Sequence, residues 1–304
     1  MEELFRIYDS NGHIDAIETD TAVTVGVFDG VHLGHQQLLS QLTPSTPHIS
    51  TLVVTLTAHP SFVLGRRESE YWLDDEEEHL RLLFEAGIDY VAVMPFTREV
   101  AQLTACQMAH LLYDKLHMRS LLLGYDSRFG SKQKDDFDSL PQLAEELGFT
   151  LHRGKPFLVD SEPISSSRIR NSLTEGRVED TLLLLGRHYS ITGTVQHGRG
   201  VGHTLGFPTA NIDLTKTRKM LPLEGVYAVH IGGHIGIANL GTAPTFGVDK
   251  PLLEVHLLDY SGDLYGETVT VEFLHRLRDI VRFDSAEALQ QQIQQDLEQA
   301  RRWS

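Results

Sequence analysis

Two histidines three residues apart, His32 and His35, lie in the string GVFDGVHLGH between an apolar run and a helical pattern. A strand, a glycine turn and a helix start together form an anion site, because unpaired backbone amides and the helix dipole both favour phosphate there. The spacing of three puts both rings on one helix face, where they can hydrogen-bond the oxygens of one triphosphate. The string therefore predicts a nucleotide site in which glycines shape the turn and imidazoles contact phosphate.

A second candidate site is the glycine-rich stretch HGRGVGHTLGFPTAN, which begins at His197 and ends at Asn211. If its last residues are extended, Thr209 and Asn211 point the same way and can share one ligand. A hydroxyl and an amide carbonyl are hard oxygen donors, suited to a Mg²⁺ ion that also bridges to phosphates. The same pattern also fits a glycine-rich hairpin with two ordinary polar residues.

Two different folds must position these residues. In the first half of the chain, short apolar runs alternate with helical patterns, which indicates parallel strands joined by crossover helices. The strands predicted there are residues 22–27, 52–56, 90–94 and 120–123. Asp74 or Asp75 can cap a helix that ends near Gly87, and Thr104 with Gln107 forms a capping box for the next helix.

After about residue 186 the pattern changes to alternating strands with glycine-rich joints, which predicts antiparallel pairing in a small barrel or sandwich. The strands predicted there are residues 189–196, 225–231, 234–239, 252–260 and 267–274. A last helix is predicted to start at Asp284, which can form a capping box with Glu287. This helix carries Leu289, Ile293 and Leu297 on one face.

The predicted fold class is therefore an α/β domain with a Rossmann-like parallel sheet at residues 1–185. An all-β antiparallel barrel with a terminal helix follows at residues 186–304. The chain has 304 residues, which is long enough for two domains with separate cores.

The charge and cysteine content limit the partners and the compartment. The 26 Lys and Arg residues against 42 Asp and Glu give a formal net charge of −16, which disfavours nucleic acid and anionic membranes. The single cysteine indicates a reducing cytoplasm, and neither the N-terminal residues nor any later apolar run is typical of a signal or membrane-spanning segment. We expect a cytoplasmic protein, a monomer or weak homo-oligomer, that binds small molecules.

The string GxFDGxHxGH resembles the nucleotide motif of the adenylyltransferase half of bacterial bifunctional riboflavin kinases/FAD synthetases. The turn GYDSRFG and the loop ISSSRIR are similar to two further motifs of that family. The resemblance implies that residues of these three segments bind ATP, namely Gly26, Phe28, Asp29, Gly30, Gly34, Asp126, Ser165, Ser166, Ser167, Arg168 and Arg170. It also implies that His32 and His35 are catalytic and that Phe129 contacts flavin.

The stretch that ends in PTAN resembles the phosphate loop of riboflavin kinases, and LEVHLLD resembles their catalytic strand. By this resemblance Glu254 is the general base that takes the proton from the 5′-hydroxyl of riboflavin. Thr209 and Asn211 then bind Mg²⁺, and Arg278 contacts flavin. ATP is held by the residues of the loop, namely Gly198, Gly202, Gly206, Pro208, Thr209 and Asn211.

The resemblance covers nearly the whole chain and implies two successive reactions, with ATP and Mg²⁺. Riboflavin is phosphorylated to FMN, and FMN is adenylylated to FAD with release of pyrophosphate. Two other hypotheses are open. Leu56, Thr57, Ala58 and residues 132–136 depart from the family pattern, as in a kinase with a degenerate adenylyltransferase domain. A non-enzymatic flavin-binding regulator would bind flavin without consuming ATP.

Overall fold

The computed structural model describes residues 4–42, 48–58, 60–63, 65, 71–125, 127, 129–131, 138–197, 207–245 and 248–303. Contacts within the chain divide it into two compact units, Met1–Ser165 and Ser166–Ser304. The helix Val178–Leu185 falls in the second unit because it packs against that unit's strands. The domain boundary predicted between residues 185 and 186 is further along the chain than the division between these two units, and it stays a prediction.

The first unit is built on a seven-stranded sheet. Its strands are β1 (Arg6–Asp9), β2 (Gly12–Ile14), β3 (Asp20–Val25), β4 (Ile49–Leu56), β5 (Tyr90–Met94), β6 (Met118–Leu123) and β7 (Thr150–Arg153). The helices described in this unit are α1 (Leu33–Leu39), α2 (Pro60–Val63), α3 (Glu76–Glu85), α4 (Ala105–Leu116) and α5 (Leu140–Leu147). Strands β8 (Leu158–Val159) and β9 (Glu162–Pro163) form a separate short hairpin.

Strands β5, β4, β3, β6 and β7 lie side by side and run parallel, which confirms the predicted α/β class. Leu52, Val53 and Val54 of β4 are fully buried, as continuous apolar runs predict for a sheet covered on both faces. The antiparallel hairpin of β1 and β2, which forms one edge of the sheet, was not predicted. Their turn is Ser10 and Asn11, followed by Gly12 at the start of β2, and this Asn-Gly pair is a turn signal that could have indicated the hairpin.

The strand order has a switch point beside β3. The chain passes from β3 to β4 on one side, and later returns to place β6 on the other side of β3. At such a point the carboxyl ends of two parallel strands form a crevice where ligands bind. The histidine string follows β3 and the GYDSRFG turn follows β6, so the topology brings the starts of these two segments to one edge of the sheet.

Helix caps agree with the sequence in one case and differ in another. Thr104 Oγ1 accepts from Gln107 N at 3.2 Å, and Thr104 N donates to Gln107 Oε1 at 3.0 Å, which confirms the capping box of α4. The predicted cap of the last helix, Asp284, was wrong by one residue. Ser285 Oγ accepts from Ala288 N at 3.1 Å and begins that helix.

The second unit is a closed antiparallel barrel with the strand order β10-β11-β14-β13-β12-β15, which confirms the predicted second fold class. Its strands are β10 (Tyr189–Gln196), β11 (Ala210–Ile212), β12 (Gly225–Ile231), β13 (His234–Thr245), β14 (Val248–Leu257) and β15 (Thr268–Arg278). Its helices are α6 (Ser166–Thr174), α7 (Val178–Leu185) and α8 (Ala286–Ala300).

Strand β11 was not among the predicted strands, and the other barrel strands differ from prediction mainly at their ends. Strand β14 begins earlier than predicted and stops at Leu257, shortly before Asp259, whose left-handed backbone (φ 54°) cannot continue a strand. Leu297 and Ala300 of α8 pack against barrel residues such as Ala228 and Leu274. The terminal helix therefore closes one side of the barrel.

Candidate active sites

The turn after β3 has a strained backbone. Phe28, Gly30 and Val31 have positive φ angles of 51°, 82° and 36°. Such an angle is uncommon for a non-glycine residue and an outlier for a β-branched one, and strain of this kind clusters at functional sites. Gly26 is required for a close approach, because a Cβ there would lie 2.9 Å from the Phe28 ring.

The two histidines meet directly at the start of α1. His32 is the N-cap residue, and its Nδ1 accepts from His35 N at 3.2 Å. The two rings are stacked with centroids 3.5 Å apart and an interplanar angle of 16°. A Cβ at Gly34 would lie 3.1 Å from His32 Nδ1, so the glycine leaves room for this ring. The Phe28 ring meets His35 edge-on at 5.2 Å.

Electrostatics keep His35 neutral. Burial of the ring and the nearby His32 and His79 all hold the pKa of His35 well below its usual value. His35 Nδ1 is buried and has no hydrogen-bond partner among the described residues. A buried polar atom without a partner costs free energy, so a substrate oxygen or donor that reached this nitrogen would gain from the contact.

Two further predicted site residues, Asp29 and Phe129, are held by contacts within the protein. Asp29 is 1% exposed, and its Oδ1 accepts from Leu73 N at 2.7 Å. Phe129 is buried in the core of the first unit, where Gly130 packs against the backbone of Ala105. The roles of Asp29 in binding ATP and of Phe129 in binding flavin stay predictions.

The ISSSRIR loop leads into a helix. Ser165 is exposed, and helix α6 begins at Ser166. Arg168 is half-buried and Arg170 is buried within that helix. Asp126, Gly198, Gly202 and Gly206 lie outside the described residues. The proposed phosphate contacts of all these residues stay predictions.

In the second unit, the barrel register places three polar residues in one row. Glu254 on β14 lies directly opposite Asn211 on β11 and directly opposite Asn239 on β13. Residues directly opposite in antiparallel strands project to the same face with Cβ atoms about 5 Å apart. The half-buried carboxylate of Glu254 therefore lies between two amide side chains.

This face borders a cavity of about 320 Å³. Thr209, Asn239, Glu254 and Arg278 contribute polar groups, and most of the wall is apolar. The apolar residues include Phe207, Ile237, Phe283, Leu289 and Ile293. An apolar cavity with a few convergent polar groups is typical of a site for a small organic ligand.

The Arg278 guanidinium is held in the cavity wall by Asp296 of α8. Its Nε and Nη2 donate to Asp296 Oδ2 at 3.1 Å and 2.8 Å. Asp296 is 1% exposed, and Gln292 Nε2 also donates to it at 2.9 Å. This ion pair, buried on the Asp296 side, fixes the orientation of Arg278 and joins β15 to the terminal helix.

Thr209 lines a second, smaller cavity of about 130 Å³ as well as the larger one. Val195, Tyr260 and Tyr265 contribute to the smaller cavity. His256 Nδ1 donates to Pro208 O at 2.8 Å and so ties β14 to the segment that carries Thr209. The predicted residues Pro208, Thr209, Asn211 and Glu254 are thus brought together, with Thr209 between two cavities.

Sequence reasoning missed Asn239 and His256 as site residues. His256 is two residues after Glu254, so strand alternation alone could have placed it on the same face. No local spacing places Asn239 there, because only the pairing of β13 with β14 brings it beside Glu254.

Two absences concern the described part of the chain. It contains no cluster of three or more His, Cys, Asp or Glu side chains that could hold a metal ion. Among the helices of this described part, none combines the length and the apolar character needed to cross a membrane.

Known proteins resemble both halves. The FAD synthetase family profile matches residues 14–168, and the riboflavin kinase family profile matches residues 185–304. The bifunctional riboflavin kinase/FMN adenylyltransferase of Haemophilus influenzae is 37% identical over 288 residues, covering 92% of this chain and 93% of that protein. Its namesake from Escherichia coli is 36% identical and covers 90% of each chain. A crystal structure described as a macrolide-efflux protein from Streptococcus pneumoniae has a TM-score of 0.83 and 29% identity, covering 95% of this chain and 96% of that one.

Proposed function

Because this chain belongs to the family of bifunctional riboflavin kinases/FMN adenylyltransferases, we propose that its two activities use the two sites described above. It phosphorylates riboflavin to FMN and adenylylates FMN to FAD, with one ATP consumed in each reaction. The alternatives of a kinase alone or a non-enzymatic flavin binder are not favoured, since both family domains are present.

The proposed kinase site is the face of the barrel that carries Glu254. The carboxylate takes the proton of the riboflavin 5′-hydroxyl, and the resulting oxygen nucleophile bonds to the γ-phosphorus of ATP. The bond from the γ-phosphorus to the bridging oxygen breaks, and ADP leaves. The row of Asn211, Glu254 and Asn239 beside the larger cavity is the observation that carries this proposal.

The two cavities suggest how the substrates divide. The larger one is apolar enough for the flavin ring and includes Arg278, so we assign riboflavin to it. The smaller one takes the nucleoside of ATP, beside the ring of Tyr265. Thr209 lines both, and therefore marks where phosphate passes from nucleotide to flavin.

We propose that Thr209 and Asn211 hold Mg²⁺ together with the ATP phosphates. The donor set fits, because a hydroxyl and an amide carbonyl are hard oxygen ligands beside the Glu254 carboxylate. Few protein ligands are needed for an ion that keeps waters and phosphates in its coordination shell. When bound, Mg²⁺ supplies neutralisation of the phosphate charge.

The proposed adenylylation site is the turn after β3. An FMN phosphate oxygen bonds to the α-phosphorus of ATP, and the bond between the α-phosphorus and the β-bridging oxygen breaks to release pyrophosphate. The His32 and His35 rings contact the phosphates and stabilise the charge that develops on the leaving group. His35 does this as a neutral hydrogen-bonding group, since its lowered pKa leaves the imidazole uncharged near pH 7.

Chromatographic separation of the flavins tests the proposal. Riboflavin with ATP and Mg²⁺ should yield FMN first and FAD later, and FMN supplied directly should yield FAD. Excess EDTA should stop phosphorylation, and added Mg²⁺ should restore it. Phosphorylation that continued at full rate in EDTA would contradict the proposed metal role of Thr209 and Asn211.

Gly34→Ala should selectively impair adenylylation. Alanine is a better helix former than glycine by about 1 kcal/mol, so α1 itself should not be weakened. The new Cβ would press on the His32 ring and displace it. Because a small displacement of a positioned catalytic group lowers the rate, we expect FAD formation from FMN to fall about tenfold. Rates of both reactions are measured beside Gln37→Ala, an exposed change on the same helix. An unchanged FAD rate would show that the His32 ring position is not critical.

Compartment and assembly are also proposals. A single cysteine and a net charge of −16 support a cytoplasmic enzyme that does not bind nucleic acid or anionic membranes. We propose a monomer or weak homo-oligomer, which sedimentation at several protein concentrations would test.

A further inference from the structure

A buried chain of hydrogen bonds lies behind the turn that carries the two histidines. Asp74 Oδ2 accepts from Gly30 N at 2.9 Å and contacts His79 Nδ1 at 3.0 Å. His79 Nε2 contacts Thr55 Oγ1 at 3.1 Å, and Thr55 Oγ1 donates to Val27 O at 3.1 Å. The chain thus begins and ends on the same turn, at the carbonyl of Val27 and the amide of Gly30.

The segment between these ends contains part of the strained backbone of the turn. Phe28 has a φ of 51°, and Asp29 binds back to Leu73 N, next to Asp74. Asp74 and His79 are 3% and 9% exposed. A strained backbone persists only where its surroundings hold it, and these buried groups supply that restraint.

Hydrogen-bond counting indicates the protonation state that completes the chain. The Thr55 hydroxyl has one proton, and when it donates to Val27 O, its oxygen can only accept from His79 Nε2. His79 Nδ1 faces a carboxylate and must donate as well. Both ring nitrogens then carry protons, so the complete chain requires a His79 imidazolium. If the ring loses a proton, Thr55 can donate to His79 or to Val27, but not to both.

The charged groups around His79 favour this form. Burial of the ring opposes protonation, but the hydrogen-bonded Asp74 carboxylate outweighs it, and Asp29 and Glu78 add to the same effect. The net result is a His79 pKa raised above its usual value. The charge of His79 in turn helps to keep the nearby His35 neutral.

We propose that His79, as an imidazolium paired with Asp74, is a positioning residue for adenylyl transfer that holds the Val27–Gly30 turn through Thr55. The proposal rests on the adenylylation site assigned above. The pair stabilises the turn and holds it in position at low pH. This contribution is lost as pH rises through the raised pKa of His79. The rate of adenylylation should therefore decline as pH rises through the pKa of His79. The rate of phosphorylation in the other unit should not show this decline.

The test uses the full-length chain and measures both reactions between pH 6 and 9. We expect His79→Gln to lower kcat for FAD formation about tenfold while KM for FMN and ATP changes less than about twofold. The alkaline decline due to His79 should disappear in this variant. His79→Lys keeps a cation opposite Asp74 and should recover part of the lost rate. Riboflavin phosphorylation by the same preparations is the internal control, and His110→Gln is the matched exposed change.

Thr55→Val provides a second test that leaves the Asp74–His79 pair intact. It removes the link to Val27 and should lower FAD formation several-fold without affecting phosphorylation. Normal FAD rates and an unchanged pH profile in folded His79→Gln, or in Thr55→Val if His79→Gln does not fold, would overturn the proposal. Parallel loss of both reactions would also overturn it. If the adenylylation site itself is wrongly assigned, His35→Ala will leave FAD formation unimpaired. This outcome separates failure of the site assignment from failure of the His79 proposal.

Discussion

Glu254→Gln is expected to lower riboflavin phosphorylation by about 10²–10⁴-fold, the usual contribution of a positioned general base. Conversion of FMN to FAD by the same protein should be unchanged. Glutamine has nearly the shape of glutamate and would occupy the same position between Asn211 and Asn239. It cannot take the proton of the 5′-hydroxyl, so the loss would report chemistry rather than packing.

The measurement is the initial rate of FMN formation at saturating ATP and Mg²⁺, with flavins separated by chromatography. Glu272→Gln is the matched control, because Glu272 is an exposed carboxylate on β15 of the same barrel. A folded Glu254→Gln protein that kept more than about a tenth of the activity would argue against a general base at this position.

His35→Ala is expected to lower FAD formation from FMN by about 10²–10³-fold, comparable to the loss of one preorganised donor in a transition-state site. The substitution removes the ring that stacks on His32 and the buried Nδ1 that has no partner among the described residues. Riboflavin phosphorylation should remain at the level of the unmodified protein, because its proposed residues belong to the barrel.

Both rates are measured on one preparation, with thermal unfolding as a check on the fold. His110→Ala is the control, since His110 is exposed on α4 of the same unit. Loss of both activities in a folded His35→Ala protein would contradict the assignment of separate sites. Full retention of FAD formation would contradict the role of His35.

Much of the fold could be predicted because its signals are local. Strand β5 was predicted over its observed bounds, since a short apolar run between Asp89 and Pro95 indicates a strand buried on both faces. The Thr104 capping box follows from two residue types three positions apart. Strand ends were less predictable, because where β14 stops depends on the left-handed Asp259 and on the length of the pairing with β13.

The candidate sites also contain some features that local sequence predicts and others that it does not. The sequence by itself determined the residue types, the glycine turn after β3 and the pairing of His32 with His35, because these depend on neighbours within one helical turn. The tertiary structure alone decided that Asn239 lies beside Glu254 and that Thr55 and Asp74 restrain the turn from behind. Those contacts join residues far apart in the chain, and only strand register and packing, which no local pattern encodes, bring them together.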